Sequence, residues 1–111
     1  MVKQHTHRPV RLVRAMLAFT RRRLHALILD LGQLELQIQA MASLERLLQR
    51  DLMVEAAWLH AAGADSANTK PEDVVAHQAR HDSLLRQIVE LHIQKIPQLK
   101  QQRDAVAEEI R

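Results

Sequence analysis

The side chains best equipped for chemistry are histidines, seven in all. Asp73, His77 and His81 recur at intervals of four, which on a helix puts one carboxylate and two imidazoles on a single face. Histidine pairs at that spacing can chelate a transition metal. Asp73 is the only third donor at a suitable offset, and the HExxH arrangement of zinc peptidases is absent. The competing expectation is that these are polar residues near a helical turn, or polar layers in a loosely packed seam. Arg86 and His92, with five residues between them, could supply a cation and a general base. That spacing is unspecific, and a hydrogen-bonded histidine on a helix seam accounts for His92 equally well. No catalytic residue, cofactor, small-molecule substrate or metal site is therefore expected, and the chain does not read as an enzyme.

Any such residues must sit on helices. The chain has 111 residues, enough for one domain. It is 47% hydrophobic, yet Phe19 and Trp58 are its only aromatics. Two glycines and three prolines are too few for the turns of an all-β fold. Leu, Ala, Gln, Arg and Glu dominate, as in long helices and coiled coils. The fold class is all-α. Cysteine is absent, so disulfides and thiolate metal sites are excluded, which fits a cytoplasmic protein. No apolar run approaches the ~20 residues of a membrane span.

Alternate steps of three and four from Val10 pass through Val13, Leu17, Thr20, Leu24, Leu27, Leu31, Leu34, Ile38, Met41, Glu45, Leu48, Leu52, Glu55, Leu59 and Ala62. Thirteen of these sixteen positions are apolar. They predict one helix from about Pro9 to about Ala62, roughly 80 Å long at ~1.5 Å per residue. Gly32 costs it about 1 kcal/mol against alanine and suggests a bend or a close contact. The stretch GADSANTKPED over residues 63–70 and just beyond reads as a turn. Gly63 terminates the first helix, Thr69 and Glu72 form a capping box, and Pro71 occupies the first turn of the second. Helix two, about 71–111, has a seam running Leu85, Val89, His92, Ile96, Leu99, Arg103, Val106 and Ile110, with a kink near Pro97. His92 and Arg103 suggest polar layers that fix register against Glu45 or Glu55.

The short turn returns helix two antiparallel along helix one. Its shorter length brings it only to about residue 23, so the sequence divides into an arm, residues 1–23, and a hairpin, residues 24–111. Residues 44–59 are apolar on more than one face. Leu44, Leu48, Leu52, Trp58 and Leu59 there predict self-association into a bundle, or cover by another protein.

The arm carries the charge asymmetry. Residues 1–29 hold seven basic side chains and no acid, a charge of +7, and the other 82 residues carry −4. Arg8, Arg11, Arg14, Arg21 and Arg22 fall within an arc of roughly 140° on a helix. Val10, Leu12, Val13, Met16, Leu17, Phe19 and Leu24 lie opposite, with Arg23 alone among them. Such a helix suits an acidic groove on a protein, an anionic membrane surface or phosphates. The ordinary alternative is a solvated helix face, but such faces mix signs. A transit peptide shares the composition, but here the heptad runs through the segment, so it is expected to remain part of the helix. Nucleic-acid stacking platforms are scarce, with no Tyr, one Phe and one Trp.

These readings predict a non-enzymatic helical adaptor or assembly protein. Its partner-binding residues are Arg8, Arg11, Arg14, Leu17, Phe19, Arg21, Arg22 and Arg23, and they meet an acidic protein surface in a homo-oligomer or hetero-complex. In architecture, though in no residue motif, the chain is similar to the small antiparallel coiled-coil stalk proteins of type III secretion and flagellar export. The alternative is a basic helical module for nucleic acid or an anionic membrane.

Overall fold

The computed structural model describes the backbone of residues 2–111 and the side chains from Pro9 onward. The protein is an all-α hairpin, a rod of 100 × 20 × 15 Å with a radius of gyration of 27.0 Å. Helix α1 spans Val2–Ala64, α2 spans Pro71–Glu90 and α3 spans Ile96–Ile110. One π-helical turn, Leu91–Lys95, joins α2 to α3.

Helix α1 is long because little interrupts it. Gly32 and Gly63 both keep helical backbone, and a Cβ built on either meets nothing within 4 Å. Gly32 is thus not a packing glycine, and Gly63 does not end the helix. The chain leaves α1 at Asp65, whose amide bonds the Ala61 carbonyl at 3.1 Å. Asp65 then organises the turn: its carbonyl accepts the Thr69 hydroxyl at 2.8 Å and its carboxylate accepts the Asn68 amide at 3.0 Å. The Thr69 hydroxyl is thereby spent on the turn. The residue capping α2 is Lys70, without a side-chain hydrogen bond, so the expected capping box does not form. Lys70 is extended, φ −74° and ψ 133°, as the residue before a proline must be. Its carbonyl takes the amides of Asp73 and Val74.

Along α1 the half-buried residues are Leu27, Leu31, Leu34, Ile38, Met41, Ala42, Glu45, Leu52, Glu55, Trp58, Leu59 and Ala62, with Leu48 buried. All but Ala42 and Trp58 lie on the heptad read from the sequence. On the returning strand the packed residues are Val74, His77, His81, Leu84, Ile88 and Leu91, then Ile96, Leu99, Arg103, Val106 and Ile110. The expected seam holds from Ile96 onward. Before it, the seam is displaced by one residue: Leu85 and Val89 point to solvent, while Leu84 and Ile88 pack. The π turn is the cause. It inserts one residue, so the seam steps five from Leu91 to Ile96 instead of four, with the Ile96 amide bonded to the Leu91 carbonyl. Pro97 follows immediately and lacks the amide that an α-helical continuation needs.

Only Leu48, Leu91 and Ile96 are buried apolar residues among those described. The core is a single seam between two strands of helix, and the rest of the apolar surface faces out.

Candidate functional site

Opposite contacts set the register of the hairpin. Glu55 meets His77, Glu45 meets His92 at 3.0 Å, and Arg23 meets Glu109 at 3.4 Å. Since Glu109 lies near the end of α3, α1 loses its neighbour just before Arg23. Pro9 to Arg22 extend beyond the hairpin, and every side chain in that stretch is exposed.

Within the arm, Val10, Leu12, Val13, Met16, Leu17 and Phe19 are all exposed large apolar residues, Leu17 at 53% and Phe19 at 62%. Val10, Val13, Leu17 and Leu24 continue the heptad that packs from Leu27 onward, so the hairpin's own seam runs on without a partner. Arg11, Arg14, Arg21 and Arg22 make no ion pair among the described residues. Arg23 differs, being engaged by Glu109 at the base of the hairpin. The Arg8 side chain lies outside the described residues.

Two histidines, His77 and His92, meet carboxylates of α1. His77 donates through Nδ1 to Glu55, and its ring stacks on Trp58 with centroids 3.7 Å apart and planes 18° from parallel. Arg80 approaches the other Glu55 oxygen at 3.6 Å. This half-buried carboxylate is therefore satisfied from both sides, as a carboxylate on a seam must be. His81 turns instead to Asp82, at 3.3 Å. The His81 hydrogen bond first, and that of Gln78 second, hold the Asp82 carboxyl below its ordinary value. Asp73, His77 and His81 are not brought together, and no group of three or more potential metal ligands forms among the described residues. His92 is bound by Glu45 within the π turn, while Arg103 pairs with its neighbour Asp104 at 3.1 Å, not with α1.

Of the residues expected at the tip, Leu48 is buried against the second strand, and Leu52, Trp58 and Leu59 are half-buried there. Leu44 is exposed, together with Leu47, Met53 and Val54. Counting past the π turn put Leu85 and Val89 on the seam; the structure places them on the outer surface with Ile93. The only sequence signal for that displacement is Pro97. No helix of the described residues is long and apolar enough to cross a membrane.

The arm is an exposed cationic helix with an apolar stripe, carried at the end of a rod. Comparison with protein-family models, curated proteins and solved structures finds no match.

Proposed function

We propose that this chain is a non-enzymatic helical adaptor or assembly protein whose basic arm docks on an acidic protein partner. One observation carries the reading: the arm's exposed stripe keeps the phase of the packed seam. Val10, Val13, Leu17 and Leu24 present to solvent the pattern by which Leu27, Leu31 and Leu34 receive the second strand. A surface of that form fits another helix, through knobs-into-holes packing and helix-in-groove recognition. The arginines beside it select a partner with acidic flanks and disfavour pairing between two arms, which would set like charges together.

The second reading is a binding module for phosphates, of nucleic acid or of an anionic membrane. What favours it is the set of arginines without intramolecular partners. The two readings differ in which half of the arm does the binding. A protein groove uses the apolar half, so Leu17→Asp or Phe19→Asp abolishes binding and moderate salt does not. Six to ten phosphate contacts instead lose roughly 10³–10⁵ in affinity between 50 and 200 mM salt. The test is capture from source lysate by the intact chain, with and without nuclease, repeated with these variants. A discrete protein that survives nuclease and is lost on Leu17→Asp supports the adaptor. Recovery that disappears with nuclease overturns it.

A further inference from the structure

The body of the hairpin carries a second apolar row that its own helices leave uncovered. Leu85, Val89 and Ile93 follow one another at intervals of four, at 44%, 46% and 64% exposure. They share an open groove with Arg86, Glu90 and Gln94, a polar row at the same intervals. We infer that this face is the interface of an antiparallel dimer, its occupant a second copy of the same chain.

The row is complementary to itself. A two-fold axis at Val89 sets Val89 on Val89 and Leu85 on the second copy's Ile93. Under the same operation Arg86 approaches the second copy's Glu90, and Glu90 its Arg86, as an isologous contact requires. A parallel pair would put the two polar rows on opposite sides of the contact, where Arg86 and Glu90 of the two copies do not meet. Arg86 has no ion-pair partner among the described residues, and Glu90 has only Lys95, at 3.7 Å on the surface.

The area supports a second copy as well. The chain exposes 9224 Å². A compact monomer of 12.8 kDa exposes about 6,300 Å², and permanent dimers bury about 2,000–5,000 Å² in total. The excess of about 2,900 Å² belongs partly to the arm and partly to outer rows such as this one. Two hairpins joined here pack α2 against α2.

The dimer also has a consequence for the arm, which rests on the adaptor reading above. Val89 lies across from about residue 48 of α1, by the Glu45–His92 contact. Leu17 is then about 45 Å from the axis, and the two arms sit about 90 Å apart at opposite ends. The assembly is bivalent and can bridge two copies of its partner.

The chain lacks cysteine, so introduced thiols report the register cleanly. The experiment is sedimentation of the intact chain, with oxidative cross-linking of Val89→Cys and Val75→Cys. Val75 is also exposed, at 69%, but lies fourteen residues from the axis. Its two copies are about 42 Å apart, far beyond the ~7 Å limit between Cα atoms for a disulfide. The expected result is a dimer that cross-links through Val89→Cys and not through Val75→Cys. Arg86→Glu or Glu90→Arg alone weakens it about tenfold, and the two together restore it. All four positions are exposed, so the hairpin persists in each variant, as its helical circular dichroism will record. A chain monomeric at about 100 μM overturns the inference. So does cross-linking of Val75→Cys as readily as Val89→Cys, or a double charge reversal that fails to recover. A monomer that still loses its captured partner on Leu17→Asp refutes the dimer alone. A dimer whose capture ignores Leu17→Asp refutes the arm reading alone.

Discussion

Leu17 and Leu48 stand on one heptad of one helix, yet α1 gives them opposite surroundings, and truncating each to alanine separates arm from body. Leu48 is 9% exposed against the second strand, whereas Leu17 is 53% exposed beyond it. Leu48→Ala removes three carbons from the seam, about 2.4 kcal/mol at ~0.8 per buried methylene. Leucine-to-alanine changes in deep cores cost about 2–5 kcal/mol because a cavity remains. Here the seam is one layer thick and water can reach the vacated space, so the cost falls near the low end, about 2.5 kcal/mol. Leu17→Ala removes carbons that touch little, and alanine is the better helix former, so its cost stays below about 0.5 kcal/mol. Urea unfolding followed by helical circular dichroism, at dilutions where the chain is monomeric, measures both. A Leu17→Ala midpoint lowered as far as that of Leu48→Ala would mean that the arm is packed, and the reasoning would fail.

Four further outcomes follow from the same structure. Gly32→Ala stabilises the hairpin by about 1 kcal/mol in that unfolding assay, because the backbone is helical and a Cβ there meets nothing within 4 Å. Glu55→Ala costs about 1–3 kcal/mol, since it strips the carboxylate from half-buried His77 and from Arg80. Glu45→Ala costs under about 1 kcal/mol, because its partner His92 is 74% exposed. Asp82 titrates below the ordinary aspartate range in a carboxyl NMR titration, and His81→Ala moves it back up. With the folded value lowered, its small contribution to stability is present above the ordinary range and disappears as pH falls through the folded value.

The sequence was most legible where its pattern was regular. The α1 heptad from Leu27 to Ala62 packs as read, because a 3–4 alternation on an uninterrupted helix has one solution. The same count on the other strand, carried through Pro97, named Leu85 and Val89 where Leu84 and Ile88 pack. A heptad count assumes a constant rise in phase, and the π turn at Leu91–Lys95 breaks that assumption by one residue. Gly63 and Thr69 misled for a different reason. Each suits a helix end intrinsically, but the Asp65 carbonyl, reaching the Thr69 hydroxyl, ends α1 two residues later and leaves capping to Lys70. The arm was legible from length alone: forty residues folded back from the turn cannot cover sixty. Its basic, apolar character was equally plain, whereas the outer row of α2 depended on a phase that only coordinates reveal.

The thin seam also sets how the protein responds to heat. An unfolded chain of 12.8 kDa exposes about 18,600 Å², so folding to 9224 Å² hides roughly three-quarters of what a compact domain of equal mass would hide. A 111-residue globular domain unfolds with a heat-capacity increment of about 1.3–1.7 kcal/mol/K, and three-quarters of that is about 1.0–1.3. The free energy of the single chain therefore curves weakly with temperature. Its cold-denaturation limit lies further below freezing than that of a compact domain with the same melting temperature and enthalpy. Joining two hairpins adds apolar burial, which increases that curvature, and it raises the melting temperature as the chain is concentrated.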